Sequence, residues 1–287
     1  MLPAERIMRR PLDRIFSIFA LRLIVSGIDR MKICVLGSGS KGNCLYIESH
    51  NKAIIIDQGF SHTELLKRLS SRGLDEGRIR AVIVTHEHDD HIHGVGVTAR
   101  KLSIPVFGTK GTLRGKKGIF SGDESLVPIE SGNSFSFGSF EIHAFSVSHD
   151  AHDPVQYCIT SGKTKISVAT DLGYVSTLVE QRLRGSHLVV VEANHDVEML
   201  KSGAYPWELK QRILSKTGHL SNRNAAELLF NLNKPEPVRA VLAHLSEENN
   251  RADIAEMEVL DLFERYDCNL RSLLVALQNE ATPVFDI

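Results

Sequence analysis

The sequence predicts an α/β protein built as a four-layer αββα sandwich. Two strand-rich stretches follow one another along the chain, and each is accompanied by segments with helical apolar spacing. Two packed sheets with helices on their outer faces would bury the apolar side of every element. No long structureless linker follows Met31, so residues 31–287 are interpreted as one domain.

The first stretch alternates short strands with helices. Apolar runs separated by Gly, Asn and Lys turns predict strands at 33–36, 45–48, 54–57, 81–85 and 105–107. Leucines at helical spacing, between a capping Ser61 and a terminating Gly73, predict a helix at 63–72. A second helix is predicted at 94–102, and residues 108–118 are expected to form a basic loop.

The second stretch begins with strands alone and continues with strands and helices in turn. Four strands with hairpin turns at Gly138 and Gly162 are predicted at 134–137, 140–148, 155–161 and 164–169. The predicted helices that follow are 176–184, 206–214, 222–231 and 252–266. The strands between them are 187–192, 238–243 and 270–277. This stretch therefore supplies the second sheet and its helical layer.

Composition places the chain among ordinary globular proteins, with 42% hydrophobic and 24% charged residues. Its net charge of −1 excludes a wholesale polycation, so contact with nucleic acid would depend on local basic patches. The four cysteines are scattered without a Cys-x-x-Cys pair. That spacing predicts reduced thiols in a cytoplasmic protein and argues against a zinc ribbon.

The first thirty residues differ from the rest, with six arginines against three acidic residues. Their apolar run, 15–27, is short and interrupted by Arg22, so no stable membrane association is expected. No signal-peptidase site follows it. Residues 1–30 are therefore interpreted as a leader, either disordered or the product of a mis-called start, with Met31 as the true first residue.

Residues 85–91, which read THEHDDH, carry most of the chemical information in the chain. Imidazole and carboxylate groups are the usual ligands of zinc and similar divalent ions. The spacing offers two pairs, His86 with His88 and Asp90 with His91, which predicts two ions. A solvated histidine-rich loop is the alternative, and the density of ligands argues against it.

Three further ligand-type residues follow predicted strands, namely His149, Asp171 and His244. Each alone would fit a solvated turn. Because strand ends meet at one rim of a sandwich, they are expected to join the first cluster. The expected arrangement is His86, His88 and His149 on one ion, Asp90, His91 and His244 on the other, and Asp171 bridging.

These residues, in this order, resemble the metallo-β-lactamase-fold hydrolases, whose motifs run H-x-H-x-D-H, His, Asp, His. A finer resemblance is to the YycJ/WalJ-like family, and it rests on the segments 36–43, 147–150, 170–174, 192–196, 205–212, 218–222 and 242–246. It implies a metallo-β-lactamase fold, two divalent ions (zinc or manganese) and 5′-to-3′ exonuclease activity on DNA.

Short gaps between the ligands exclude several larger relatives. The 22 residues from His149 to Asp171 leave no room for the tRNA-binding arm of RNase Z-like enzymes. The 73 residues from Asp171 to His244 are too few for the clamp domain of the β-CASP nucleases. Only 43 residues follow His244, which excludes the helical domain of glyoxalase II. A hydrolase without an accessory domain remains.

His219 and Glu192 are the predicted catalytic partners of the metal site. By resemblance to the phosphodiesterase branch, His219 contacts phosphate and protonates the leaving oxygen, while Glu192 orients it. Asp90 is expected to orient the attacking water or accept its proton as well as to ligate an ion. The alternative for His219 is a residue at the entry of a helix capped by Ser221.

Residues expected to bind substrate are less strongly marked, and for each a structural alternative stays open. Ser38, Ser40 and Asn43 lie on a Gly-rich turn that could contact a terminal phosphate, and Lys110 lies in the basic segment. Tyr205, Trp207 and Arg212 could stack on bases and pair with phosphate, or form a core tryptophan with surface charges.

Three classes of function are therefore compared. A DNA exonuclease is predicted, and a small-molecule thioester, lactone or cyclic phosphodiester hydrolase with the same metals is the alternative. A non-catalytic metal-binding scaffold is disfavoured because all seven ligands and the predicted acid are present.

Overall fold

The structure, a computed structural model, describes residues 30–233 and 236–287 and contains two mixed β-sheets. The strands of the first sheet are β1 (Met31–Gly37), β2 (Cys44–Ser49), β3 (Lys52–Ile56), β4 (Ile79–Ile83), β5 (Val106–Thr109), β6 (Leu126–Ile129) and β14 (Phe285–Asp286). They are hydrogen-bonded in the order β14-β1-β2-β3-β4-β5-β6, and β3 to β6 run parallel.

The second sheet takes the remaining strands: β7 (Ser134–Phe137), β8 (Phe140–Ser146), β9 (Val155–Ser161), β10 (Thr164–Ala169), β11 (Leu188–Glu192), β12 (Arg239–Ala243) and β13 (Ser272–Val275). Their order is β13-β12-β11-β10-β9-β8-β7. Strands β10 to β13 are parallel, so their carboxyl ends lie at the same edge.

The helices are α1 (His62–Ser71), α2 (Asp89–Ile92), α3 (Val95–Leu102), α4 (Lys110–Gly115), α5 (Thr177–Leu183), α6 (Val197–Ser202), α7 (Trp207–Ile213), α8 (Asn222–Leu232) and α9 (Ala252–Arg265). A short 3₁₀ turn covers Glu76–Arg78. Side chains cap several helix starts, as at α1, where Ser61 accepts a hydrogen bond from the Glu64 amide.

Three apolar layers hold these elements together. The central one lies between the sheets and includes Ile47, Ile142 and Val241. A second layer packs the outer face of the second sheet against α5, α8 and α9, and a third packs the first sheet against α1 and α3. The predicted four-layer αββα sandwich is therefore confirmed.

Several short elements were missed or misjudged from sequence. Residues 110–115 form a helix instead of the expected loop, because Thr109 caps its first turn by accepting from the Thr112 amide. Strand β6 contains Pro128 and lies at the sheet edge, where a missing donor is tolerated. Helix α6 and the two-residue β14 carry too few residues for a periodic signal.

The predicted leader lies almost wholly outside the described residues, which begin at Arg30. Met31 starts β1, and its amide and carbonyl pair with those of Ile287 at 2.8 and 3.0 Å. Within the described ranges, no helix is long and apolar enough to cross a membrane.

The buried Arg68 joins α1 to the sheet and to the C-terminal segment. Its Nη1 donates to the carbonyl oxygens of Leu36 and Gln278, at 2.9 and 2.8 Å. Its Nε donates to Glu64 Oε1 at 2.8 Å. The first two bonds hold the end of β1 in place, just before the turn that reaches the functional site.

We expect Arg68→Met to lower the free energy of unfolding by about 3 kcal/mol, because two buried carbonyl groups lose a charged donor. Denaturant unfolding followed by circular dichroism measures the change. Lys67→Met, at the exposed neighbouring position, is the control and should stay within about 0.5 kcal/mol of the parent protein. Equal stability of the two variants would contradict the assigned role.

Candidate metal centre

Polar residues lie just beyond the ends of strands in both sheets. Asp57 directly follows β3, His244 directly follows β12, and Glu192 is the last residue of β11. His86 and Asp171 come within three residues of the ends of β4 and β10. The parallel direction of these strands brings their side chains to one rim of the sandwich.

Three imidazoles form the first ligand cluster. His88 Nδ1 lies 3.1 Å from His86 Nε2 and 3.2 Å from His149 Nε2. The candidate ligand nitrogens of the three rings lie within 4.8 Å of one another, so one ion could bind all three. Three converging imidazole nitrogens are a typical donor set for zinc-like ions.

The second cluster combines Asp90, His91 and His244. Asp90 Oδ2 lies 3.2 Å from His244 Nε2 and 3.3 Å from His91 Nε2. This set of one carboxylate and two imidazoles also suits a divalent ion of the first transition series.

Asp171 lies between the clusters. Its Oδ2 is 3.2 Å from His91 Nε2, and its Oδ1 is 3.4 Å from His244 Nε2. Asp171 also groups with His86 and His91 as potential ligands of one ion. Oδ2 is buried and has no partner with good hydrogen-bonding geometry, which would cost free energy unless a cation satisfied it. The residues present therefore fit a metal site.

The charges of the site favour cations as well. Burial opposes ionisation of Asp171, but His244 and His91 outweigh it and hold its pKa well below the usual value. Burial and the neighbouring His91 keep the pKa of His86 well below its ordinary value, so this imidazole is neutral and able to bind a metal.

Asp57 contacts the ring nitrogen of His91 that faces away from the ligand cluster. Its Oδ2 lies 2.7 Å from His91 Nδ1, and it accepts hydrogen bonds from the amide and hydroxyl of Thr85, both at 2.8 Å. A carboxylate on the far nitrogen orients a histidine ligand and leaves Nε2 for the metal. Asp57 was not predicted as a site residue, although a carboxylate directly after a buried strand is a signal for one.

Glu192 supports two histidines at once. Its Oε1 accepts from His219 Nδ1 at 2.7 Å and from His244 Nδ1 at 3.0 Å, while Oε2 accepts from the amides of Leu172 and Leu220. Although burial opposes ionisation, His219 lowers the pKa of Glu192 to about 2. The ionised carboxylate therefore leaves Nε2 of both rings facing the site.

His219 belongs to neither three-residue cluster described above, but it lies close enough to Asp171, Glu192 and His244 for these four side chains to hold an ion together. Its ring stacks on that of His244, with centroids 5.2 Å apart, and its side chain is 21% exposed. Burial disfavours protonation of His219, but Glu192 outweighs it and raises the pKa. Ser221 caps α8 by accepting from the Asn224 amide, so the cap and His219 are separate features.

Three site residues have left-handed backbone conformations. The φ angles of Asp57, Asp171 and His244 are 60°, 52° and 57°. Such conformations are uncommon for residues other than glycine, and they persist where the surroundings enforce them. Each lies at or just past the end of a strand, where the sharp turn directs the side chain into the cluster.

Two of the expected substrate-binding residues lie behind the ligands instead. Ser38 Oγ accepts from the His244 amide and donates to Asn43 Oδ1, both at 2.8 Å. Asn43 Nδ2 donates to Asp90 Oδ2 at 3.1 Å. Both residues are buried, so their polar atoms position Asp90 and His244. Ser40, on the same turn, is exposed and faces the site.

The other expected residues are divided between the cleft and the surface. Tyr205 and Arg212 line a cavity that includes His219. Trp207 is 62% exposed, which excludes the alternative of a core tryptophan. Lys110 is exposed on α4 and lines no cavity among those at the metal site in the described chain. Lys116, just after that helix, pairs with Asp89 at the rim of the cleft.

Two groups of histidine and aspartate ligands at one rim of an αββα sandwich define the class of the metallo-β-lactamase-fold hydrolases. Comparison with known proteins agrees, since the beta-lactamase superfamily domain model matches residues 52–245. The structure also resembles that of the metallo-beta-lactamase fold protein YhfI from Bacillus subtilis, with a TM-score of 0.67 and 16% identity, over 88% of this chain and 99% of that one.

Two curated proteins are more similar in sequence. Exodeoxyribonuclease YycJ of Bacillus anthracis is 38% identical over 235 residues, which cover 80% of this chain and 88% of that protein. Exodeoxyribonuclease WalJ of Streptococcus pneumoniae is 38% identical over 240 residues, covering 82% and 89%. The chain therefore belongs to the beta-lactamase superfamily and, within it, to the family of YycJ and WalJ.

We expect Asp57→Asn to weaken divalent-metal binding about 10- to 100-fold, because His91 loses the carboxylate that holds its far nitrogen. Competition with a chelating dye measures the affinity. Asp261→Asn, at an exposed position on α9, is the control and should bind metal as the parent does. Unchanged affinity in a correctly folded Asp57→Asn protein would contradict the role of Asp57.

Proposed function

We propose that this chain is a metal-dependent exodeoxyribonuclease that removes nucleotides from the 5′ end of DNA. The observation that carries the proposal is the pair of His219 and Glu192 beside the two ligand clusters. A metal site alone fits many hydrolyses, whereas an additional protonated imidazole suits a reaction whose leaving group is an alkoxide. The names of the relatives YycJ and WalJ support DNA as the substrate.

We propose that the site binds two metal ions, which are zinc or manganese. His86, His88 and His149 would hold one, Asp90, His91 and His244 the other, and Asp171 would bridge them. Bound ions would supply Lewis acidity at the phosphate oxygens and would lower the pKa of the attacking water. The buried Oδ2 of Asp171, which lacks a good hydrogen-bonding partner, supports the bridging role.

The residues of the chain would divide the proton transfers between them. Water adds to phosphorus, and Asp90 orients it and accepts its proton. The bond from phosphorus to the sugar oxygen breaks on the other side, and His219 Nε2 donates a proton to that oxygen. Glu192 keeps Nε2 directed at the leaving group and stabilises the protonated ring beforehand.

The lining of the metal cleft favours a phosphodiester over an apolar ester or thioester. It consists entirely of polar residues, namely Ser40, His88, Asp89, Asp90, Asp171, Arg212, His219 and His244. Arg212 lies at this cleft and Lys116 at its rim, where cationic groups can contact the phosphates of a polymer. An enzyme for small hydrophobic esters would be expected to line the metal cleft itself with apolar side chains.

The test is incubation of the purified protein, loaded with manganese or zinc, with 5′-phosphorylated and 5′-hydroxyl DNA in single- and double-stranded forms. We expect release of nucleotides that is lost in Asp90→Ala, because this variant lacks both a ligand and the acceptor of the water proton. His93→Ala, an exposed histidine just after the ligand run, is the control and should retain activity. Hydrolysis of thioesters without cleavage of DNA would refute the proposal.

We expect His219→Ala to lower kcat roughly 10²- to 10⁴-fold, the usual contribution of a positioned general acid. Its metal content should match the parent, because the proposed ligands are intact. Single-turnover cleavage and elemental analysis measure the two quantities. Loss of metal from this variant would show that His219 is a ligand and would contradict its role as an acid.

A further inference from the structure

A second cavity opens from the metal cleft past His219. Its volume is about 280 Å³. It shares Ser40, Arg212, His219 and His244 with the lining of the cleft, so the two spaces meet at these residues. None of the ligands of the first cluster, His86, His88 and His149, lines it. The cavity therefore lies on the side of the site that carries His219.

The walls of this cavity differ in character. Helix α7 and the residues just before it supply an aromatic and apolar side, with Tyr205, Leu209 and Ile213. The opposite side presents the polar groups of Asn194 and Ser246. A flat group with a hydrophobic face and polar edges fits between them, and nucleobases have this chemistry.

The position of His219 determines which part of a substrate would enter this cavity. A general acid must lie within hydrogen-bonding reach of the oxygen that departs. Glu192 occupies Nδ1, so the proton for the leaving oxygen comes from Nε2. The fragment released with that oxygen therefore extends away from the first ligand cluster and into the second cavity.

The volume of the cavity indicates the size of the group that it can hold. Cavities for drug-sized ligands are about 300–1,000 Å³, and this one lies just below that range. A space of this size, open to the metal cleft, suits a single terminal nucleotide. A terminal nucleotide would have to leave its stack to enter, at the cost of unstacking that accompanies the extrusion of a base.

Arg212 is the only lysine or arginine among the residues that line this cavity in the described chain. Its Nε donates to Oδ2 of Asp150, which also lines the cavity, and within the described residues its terminal nitrogens have no protein partner. The side chain is 58% exposed. A guanidinium whose Nε is already paired can still donate two hydrogen bonds to one phosphate from its terminal nitrogens.

We propose that this cavity binds the departing nucleotide as a nucleoside 5′-phosphate, with the base against Tyr205 and Leu209 and the 5′-phosphate on Arg212. The inference rests on the proposed nuclease function. In the reaction, water adds to the phosphorus between the first and second nucleotides, and the bond to the 3′-oxygen of the first nucleotide breaks. His219 donates the proton to that oxygen, so the products are a free nucleotide and a DNA strand with a new 5′-phosphate.

The experiment compares two tryptophan substitutions at the same helix. Leu209→Trp fills the cavity, whereas Leu214→Trp adds the same side chain at the exposed end of α7. Release of mononucleotides from 5′-phosphorylated DNA and binding of thymidine 5′-monophosphate are measured with the manganese-loaded proteins. We expect Leu209→Trp to lower both about tenfold or more. Leu214→Trp should match the parent in both.

A second variant keeps the test independent of how Leu209→Trp folds. Arg212→Gln should retain mononucleotide as the product but lose the preference for a 5′-phosphate over a 5′-hydroxyl end. The expected loss is roughly 10- to 100-fold in kcat/KM, the effect of removing a charged hydrogen bond. An unchanged preference would refute the assignment of Arg212.

The outcomes separate this inference from the proposed function. Equal cleavage of DNA by Leu209→Trp and Leu214→Trp, or release of oligonucleotides by the parent, would refute the cavity while the nuclease stands. No cleavage of any DNA by the parent protein with either metal would refute the function and the inference with it. Thymidine monophosphate binding that is equally strong in Leu209→Trp and in the parent would place the nucleotide outside this cavity and overturn the assignment.

Discussion

The buried carboxylate of Glu192 is the contact on which the rest of the site depends. It lies at the end of β11 and holds His219 and His244 through the same oxygen, while two backbone amides satisfy the other. A buried anion is tolerated only when it is surrounded by donors in this way. Because one group contacts both His219 and His244, the fold sets the distance between the two rings, and neither ring can move independently of the other.

The αββα sandwich supplies this contact through its strand directions. Strands β10, β11 and β12 are adjacent and parallel. Asp171, Glu192 and His244 therefore lie at the carboxyl ends of neighbouring strands, at the same edge of the sheet. The first sheet contributes Asp57 after β3 and the ligand run after β4. Bonds between the sheets then close the site, since Ser38 after β1 accepts from the amide of His244. The candidate metal centre is therefore assembled from the strand ends of both sheets.

How much of the fold and of the site could be predicted from the sequence depended on whether each feature is marked by neighbouring residues in the chain. The ligand run at 85–91 and the polar residues after strands were visible in the sequence because each follows an apolar run. The second role of Glu192, the support from Asp57 and the burial of Ser38 and Asn43 were not visible, because they depend on partners between 5 and 206 residues away. Helix α4 was missed for a local reason, since two glycines in six residues weaken its helical signal.

The short spacing between the ligands also explains where substrate selection can reside. The 22 residues from His149 to Asp171 are used mostly by β9 and β10, which are strands of the sheet itself. The stretch from Asp171 to His244 supplies β11, β12 and the helices α5 to α8, of which α7 and the loop before it line the cavity beside His219. Neither of these two stretches is long enough for an inserted domain, and α7 therefore forms the apolar wall beside His219. The nucleotide site that we propose would then lie within the catalytic domain and would need no separate clamp.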